Sequence, residues 1–98
     1  MAGEADSIEV VDNPKERRYE AHVDGAVAGY VFYHRRDGEI VVIHTEVLEE
    51  FEGRGVGSRL VSGALDDIRA QGLSVVPMCP FTRGYIERHP EYADLVAA

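Results

Sequence analysis

Hydrophobic and polar residues alternate along the first half of the chain, which is the pattern of half-buried β-strands. Two dipeptides, Asp24-Gly25 and Asp37-Gly38, interrupt the alternation and are typical of tight hairpin turns. An earlier turn is predicted over residues 12–16, because its proline cannot donate to a strand ladder. The pattern therefore predicts four strands, over residues 8–11, 18–23, 26–34 and 39–48.

The fourth strand is apolar on both faces at its start and carries polar residues only toward its end. Strict alternation gives one face with Ile40, Val42, His44 and Glu46 and another with Val41, Ile43, Thr45 and Val47. We therefore expect a central strand that is covered on both sides. Ligands of layered α/β proteins bind at the carboxyl ends of strands, so the polar end is the expected ligand end.

An amphipathic helix is predicted over residues 57–71, with Gly72 at the position of a C-terminal cap. A short strand over residues 73–78 follows, which we expect to lie parallel to the fourth strand because a helix connects the two. Pro80 then opens a last short helix that ends before Pro90. The predicted fold class is α/β (α+β), a mostly antiparallel sheet with one parallel β-α-β crossover and a C-terminal helix.

Length and composition limit the class of protein. The 98 residues are 45% hydrophobic and 29% charged, which is ordinary for one soluble domain, here residues 8–98 behind a flexible tail at residues 1–7. No apolar run reaches the roughly 20 residues of a membrane span, and no signal peptide is visible. Cys79 is the only cysteine, so an internal disulfide is excluded and a cytoplasmic location is expected.

The charge and the histidines narrow the choice of partners. A formal net charge of −8 argues against a nucleic-acid partner, which needs a basic face. His22, His34 and His89 lack the convergent spacing of a metal site, so we expect no metal. We expect a monomer or weak dimer with no nucleic-acid or membrane partner.

A glycine-rich loop, Gly53-Arg54-Gly55-Val56-Gly57, joins the fourth strand to the helix. The free N–H groups and positive dipole end of a helix start can hold a phosphate, and glycines let it approach closely. A P-loop would need Gly-Lys-Ser/Thr where this chain has Gly57-Ser58-Arg59. A dinucleotide-binding fold would need another glycine spacing after the first strand of a parallel sheet. A different phosphate ligand is therefore indicated.

The ordered motifs resemble those of the GCN5-related N-acetyltransferases, in particular a small acetyltransferase-like branch with a Cys-Pro-Phe signature. Gly55 and Gly57 match the last two fixed positions of that family's loop, (Gln/Arg)-x-x-Gly-x-(Gly/Ala), whereas Glu52 stands where Gln or Arg is usual. The signature corresponds to Cys79-Pro80-Phe81. The resemblance implies a minimal acyl-CoA N-acyltransferase fold, acetyl-CoA as cofactor, and acetyl transfer to an unidentified amine.

The resemblance also implies which residues hold the CoA. In the family, backbone N–H groups of the glycine loop do most of the pyrophosphate binding. We expect Phe81, together with Tyr85 one helical turn later, to line the slot for the pantetheine arm. The expected CoA-binding residues are Val47, Leu48, Gly53, Arg54, Gly55, Val56, Gly57, Ser58 and Phe81.

Acetyl transfer to an amine needs a neutral amine, a donor for the developing oxyanion and a proton for the departing thiolate. His44 is a candidate base for the amine; Glu46 is the alternative base, or orients His44. Cys79 ends the parallel strand, and either protonates the CoA thiolate or accepts the acetyl group and passes it on. In the family a bulge frees a strand N–H for the thioester carbonyl, and Val47 is the matching position.

The acceptor side differs from that of the larger family members. They carry two helices between the first two strands, which form a wall of the acceptor site, whereas residues 12–16 fill that gap here. We therefore expect an open acceptor side. A second function is left open: a CoA or acyl-CoA binding module without turnover, acting as a sensor or a protein-interaction domain.

Overall fold

The computed structural model describes residues 7–97, so the predicted tail lies almost wholly outside the described residues. The elements follow the chain as β1 Ile8–Asn13, β2 Arg18–Val23, β3 Ala26–Arg36, β4 Glu39–Val47, a 3₁₀ turn Glu49–Phe51, α1 Val56–Ala70, β5 Ser74–Pro77, α2 Pro80–Arg88 and a last 3₁₀ turn Pro90–Leu95. Within residues 7–97, no helix is long and apolar enough to cross a membrane. The same part of the chain brings no three His, Cys, Asp or Glu side chains together as a metal site.

The five strands form one sheet in the order β1-β2-β3-β4-β5. The first four strands pair antiparallel and β4 pairs with β5 in parallel, which confirms the predicted fold class. Each hairpin turn contains a glycine in the left-handed region that such turns need, Gly25 at a φ of 83° and Gly38 at 76°. Helix α1 makes the crossover that two parallel strands require.

The first turn begins later than the sequence predicts. Asp12 pairs with Tyr19, and the residue after it also belongs to β1. The hydroxyl of Tyr33 donates a hydrogen bond to the Asp12 carboxylate at 2.6 Å, which ties this end of β1 to β3. The ladder therefore extends up to Pro14, where the missing N–H ends it.

A β-bulge divides β4 into two halves. His44 pairs with Phe32 and Val42 pairs with Tyr33, so Ile43 is an extra residue on β4. A bulge bends the strand that carries it and increases the local twist. The C-terminal half of β4 is therefore turned relative to the half that pairs with β5.

The bulge changes which side chains share a face. The prediction that His44 and Glu46 share a face with the core residues of β4 is wrong, because the extra residue shifts the alternation by one. Thr45 and Val47 lie on the core face instead, where both contact the helices. The prediction that both faces are covered is also wrong at this end, since Ile43 is 52% exposed.

The core lies between the sheet and α1. Leu60 and Ile68 of α1 are fully buried against the core face of the sheet. Gly72 ends the helix at a φ of 73°. The N–H of Leu73 donates to the C=O of Ile68, the hydrogen bond of a Schellman cap, so Gly72 stands where the sequence predicts a cap.

Candidate functional site

A cavity of about 330 Å³ lies where the C-terminal half of β4, the loop after it and the first turns of α1 and α2 meet. Its walls are formed by Thr45, Val47, Phe51, Glu52, Gly53, Gly55, Val56, Gly57, Ser58 and Phe81. All the residues expected to bind CoA are among them except Leu48 and Arg54. The structure thus gathers most of the predicted binding residues around one space.

Leu48 and Arg54 do not line the cavity. The N–H of Leu48 donates to the C=O of Ala28 at 2.8 Å and belongs to the sheet. The guanidinium of Arg54 lies 5.3 Å from the centre of the Phe51 ring. Thr45, Phe51 and Glu52 line the cavity without being among the predicted binding residues. The bulge brings Thr45 there, and Phe51 lies in a 3₁₀ turn that no periodic pattern predicts.

Two glycines hold the loop in a conformation that other residues rarely adopt. Gly53 has a φ of 81° and Gly55 a φ of 77°, and a Cβ on either would meet nothing within 4 Å. Gly55 caps α1 without a side-chain hydrogen bond, so no side chain satisfies the N–H groups of the first helical turn in this way. Such groups and the positive end of the helix dipole bind anions. The loop therefore combines open space with donors suited to a phosphate.

Phe81 forms the wall on the side of α2 and is 41% exposed. Tyr85, expected beside it, is only 7% exposed and does not line the cavity. The Tyr85 ring stacks on the His89 ring with 3.9 Å between centroids. Of this pair, Phe81 faces the cavity and Tyr85 belongs to the core.

The parallel pairing of β4 with β5 stops before β4 ends. The last paired residues are Val42 and Pro77, and the N–H groups of Met78 and Cys79 both donate to the C=O of Val42, at 3.0 and 3.1 Å. Beyond this point β4 continues to Val47 paired with β3 but no longer with β5. The two strands therefore part at the cavity.

The N–H of Val47 points into the gap between these strands. In an antiparallel pair, alternate residues direct their N–H groups to the same neighbour. The N–H of Leu48 points to β3, since it donates to Ala28. The N–H of Val47 therefore points away from β3, toward the edge that β5 has left.

Cys79 lies one side chain away from the cavity. Its thiol is 4% exposed and donates to the hydroxyl of Thr45, a cavity residue, with 3.5 Å between Sγ and Oγ1. Burial raises the pKa of this thiol, but hydrogen bonds, among them those with the Thr45 hydroxyl and with the backbone N–H groups of Thr82 and Phe81, together outweigh it. The pKa of Cys79 is therefore lower than that of an ordinary cysteine.

His44 and Glu46 lie on the opposite face of the sheet from the cavity. Their side chains are 60% and 52% exposed, and Nε2 of His44 is 3.8 Å from Oε1 of Glu46. The His44 ring is stacked beside Phe32, with 6.2 Å between centroids. The bulge thus places the two predicted bases on one face of the sheet and Thr45, with the Cys79 thiol bound to it, on the other. All four side chains nevertheless lie near the C-terminal end of β4.

Comparison with known proteins defines the class of protein. Residues 18–95 match the family model of the GCN5-related N-acetyl-transferases. The chain therefore belongs to this family, and its sheet, crossover helix and C-terminal helix form the family's fold.

Individual relatives are distant. Protein NATD1 of Xenopus tropicalis is 28% identical over 86 residues, covering 86% of this chain and 79% of that protein. A GCN5-like protein from Staphylococcus aureus, solved by NMR, superposes with a TM-score of 0.68 at 24% identity, covering 92% of this chain and 88% of the other. A ribosomal-protein-alanine N-acetyltransferase from Brucella melitensis has a TM-score of 0.58 at 23% identity, covering 83% of this chain and 61% of the other. At these identities the two structures show a shared fold.

Proposed function

We propose that this protein is an acetyl-CoA-dependent N-acetyltransferase that moves an acetyl group to the amine of a small molecule or peptide. One observation carries the proposal: the cavity joins the N–H groups at the start of α1 to the gap between β4 and β5. A ligand with a diphosphate at one end and a thioester at the other suits such a space. Membership of the acetyltransferase family supports the same chemistry.

The residues present fit a CoA thioester. Gly53 and Gly55 leave open space over the loop, and the N–H groups of Val56 and Gly57 in the first turn of α1 are suited to the diphosphate. Phe81 offers an apolar wall for the pantetheine arm. The N–H of Val47 is suited to polarise the thioester carbonyl, as an oxyanion-hole donor does. Bound acetyl-CoA would supply the activated acetyl group.

Cys79 is proposed to act at the sulfur end of the cavity, by one of two routes. As an acid, its thiol gives a proton to the CoA thiolate that leaves when the amine attacks. As a nucleophile, its thiolate forms a C–S bond to the acetyl carbon while the bond to the CoA sulfur breaks. The amine then displaces the Cys79 thiolate and releases its proton to a base. A thiol with a lowered pKa suits the second route.

His44 and Glu46 remain candidates for the base that deprotonates the amine. They flank the C-terminal end of β4 on its exposed face, so they would serve an acceptor that approaches from that face. This arrangement leaves the core face to the CoA. We expect His44→Ala to lower turnover with little change in CoA affinity, and turnover equal to wild type would exclude this role.

Ligand binding is tested by thermal unfolding with CoA, acetyl-CoA and NAD as a control. A ligand at 100 times its dissociation constant adds about 2.7 kcal/mol of stability. We expect stabilisation by both CoA species and none by NAD at equal concentration. Unchanged unfolding with CoA and acetyl-CoA would overturn the proposal.

Turnover separates the enzyme from a binding module. The open face of β4, with His44 and Glu46 more than half exposed, is compatible with a module that binds CoA and presents this face to another protein. Release of free CoA from acetyl-CoA with a panel of amines is expected of the enzyme alone. Intact mass after incubation with acetyl-CoA distinguishes the two routes. An acetyl adduct that is absent in Cys79→Ser supports the nucleophile.

A further inference from the structure

Thr82 carries a polar group that the fold leaves without a partner. The residue is 1% exposed and lies in the first turn of α2. Its hydroxyl oxygen is buried and makes no hydrogen bond among the described residues. Buried hydroxyls are almost always satisfied, because leaving one unpaired costs stability. This hydroxyl therefore calls for an explanation beyond packing.

The position of Thr82 in the helix points to its target. Cys79 is the N-cap of α2 and Thr82 is three residues later, where a side chain commonly reaches back toward the cap. The backbone of the cap is already engaged: its N–H donates to the C=O of Val42, and its C=O accepts from the N–H of Arg83. The cap offers one further polar group to the Thr82 hydroxyl, the sulfur atom of its side chain.

We propose that Thr82 is a positioning residue that donates a hydrogen bond to the Cys79 thiolate, opposite the bond from Thr45. The inference rests on the proposed function, because it assigns the state in which Cys79 reacts. In the thiol form the sulfur gives its one proton to Thr45 and is only a weak acceptor, and the structure shows no hydrogen bond to it from Thr82. A thiolate has no proton and accepts from both hydroxyls. The pair of threonines thus holds the reactive form of the sulfur.

The charged side chains on the elements next to Cys79 are bound elsewhere or lie on the other face of the sheet. The hydrogen-bond donors to the sulfur are therefore neutral groups. Arg83 of α2 donates to the C=O groups of Pro77 and Met78, at 3.4 and 3.3 Å. On β4, His44 and Glu46 lie on the other face of the sheet. Burial raises the pKa of Cys79, and hydrogen bonds, among them those with Thr45 and with the backbone N–H groups of Thr82 and Phe81, together lower it by more.

The contact also changes during the reaction. When Cys79 takes the acetyl group, its sulfur forms a bond to the acetyl carbon, the CoA sulfur leaves with the electron pair of the broken bond, and the Cys79 sulfur becomes neutral. A thioester sulfur is a weak acceptor, so Thr82 loses its partner again. Attack by the amine returns the electron pair to the Cys79 sulfur and restores the bond. Thr82 thus favours the formation of the thiolate before the attack and its departure afterwards.

The test titrates the thiol in Thr82→Val, Thr82→Ser and wild type, without any CoA species. Absorbance at 240 nm reports the thiolate, and the same titration of Cys79→Ala removes the tyrosine signal; the chain has a single cysteine and no tryptophan. Valine keeps the shape of threonine and removes the donor, whereas serine keeps the donor. We expect the titration midpoint of the thiol to lie at a higher pH in Thr82→Val than in wild type. At a pH below the midpoint the fraction of thiolate should fall about tenfold, which is the effect of losing one hydrogen bond to a charge. Thr82→Ser is expected to titrate like wild type.

A structural role gives a different result. If the hydroxyl only fills space, Thr82→Val removes an unsatisfied buried group, so stability against urea rises and the midpoint stays unchanged. That outcome overturns the proposal, as does a raised midpoint in Thr82→Ser equal to that of Thr82→Val. With acetyl-CoA, we expect Thr82→Val to lower kcat with KM unchanged, since Thr82 does not line the cavity. Because the titration needs no CoA, a protein that binds no CoA fails the proposed function without changing this result.

Discussion

Gly57 and Phe81 touch across the floor of the cavity. A Cβ built on Gly57 would lie 3.1 Å from Cζ of Phe81 and 3.6 Å from a methyl group of Val47. Such a contact would be tighter than ordinary packing, so α1 approaches α2 and β4 as closely as it does because Gly57 has no side chain. The width of the cavity therefore depends on residue 57 being glycine, which carries a hydrogen atom where alanine would carry a methyl group.

We expect Gly57→Ala to weaken CoA binding about tenfold, the effect of roughly 1.4 kcal/mol of overpacking against Phe81. Stability should change by less than ~1 kcal/mol, because alanine is the better helix former and offsets the contact. Isothermal titration with CoA and urea unfolding measure the two effects. Gly84→Ala is the matched control, since its Cβ would meet only the mobile end of Arg88, at 3.3 Å. Equal CoA affinity in both variants would contradict the prediction.

Gly55 and Gly38 form a second matched pair. Their φ angles are 77° and 76°, and a Cβ on either meets nothing within 4 Å, so alanine is strained by about 1 kcal/mol at both. Gly55 borders the cavity, whereas Gly38 lies in a hairpin at the start of β4. Gly55→Ala and Gly38→Ala should therefore lose similar stability in urea, and only the former should lose CoA affinity. A loss of affinity in Gly38→Ala would show that the effect comes from stability alone.

Glu20 gives a prediction for acid. Its carboxylate accepts hydrogen bonds from His22, Asn13 and Arg18, which lower its pKa from 4.5 to about 2. A lowered pKa stabilises the fold above about 4.5, and this stabilisation is lost as the pH falls toward 2. Glu20→Gln should cost about 1–2 kcal/mol at pH 7 and progressively less below pH 4.5.

Urea unfolding at a series of pH values measures this difference. Glu9→Gln serves as the control, because Glu9 is exposed on the neighbouring strand and surface substitutions change stability by less than about 0.5 kcal/mol. A Glu20→Gln difference that is constant between pH 7 and pH 3 would refute the assignment of the low pKa to Glu20.

Tyr92 gives the corresponding prediction for alkali. Burial and a hydrogen bond of 2.8 Å to Asp66 raise the pKa of Tyr92 to about 12. A raised pKa stabilises the fold below the ordinary value of 10, and this stabilisation is lost as the pH rises toward 12. Tyr92→Phe should cost about 1 kcal/mol at pH 8, and the difference from wild type should shrink above pH 10. Thermal unfolding of wild type and Tyr92→Phe at pH 8, 10 and 11 measures this difference. An equal loss of stability in the two proteins as the pH rises would contradict the prediction.

Local signals explain how far the sequence predicts the fold. Gly25, Gly38 and Gly72 are needed where the chain turns or a helix ends, and these features depend on the residues next to them. Gly53 and Gly55 predict the loop before α1 in the same way, as glycines at positions where the chain turns. The order of strands then follows from short hairpins and one crossover helix.

The site is less predictable because its geometry depends on contacts between distant segments. Nothing in the pattern around Ile43 indicates a bulge, so strict alternation places His44 on the face of Val42 and Thr45 on the other face. The burial of Thr82 cannot be predicted from the sequence pattern for a related reason, because it depends on how α2 packs on β4 and β5. The spacing of Cys79 and Thr82, from N-cap to third helical residue, is the one sequence signal that points to the hydrogen bond proposed between them.

Removing the bulge tests its role directly. With Ile43 deleted, Val42 and His44 become neighbours, and Thr45 and Val47 keep the core face in a regular ladder. We therefore expect the deletion variant to fold, because the lost side chain is 52% exposed. CoA binding should fall at least tenfold, because the bend that parts β4 from β5 is lost. Ile43→Thr keeps the extra residue and should bind CoA like wild type. Circular dichroism and titration with CoA decide the matter: a folded deletion variant with wild-type affinity would show that the gap does not depend on the bulge.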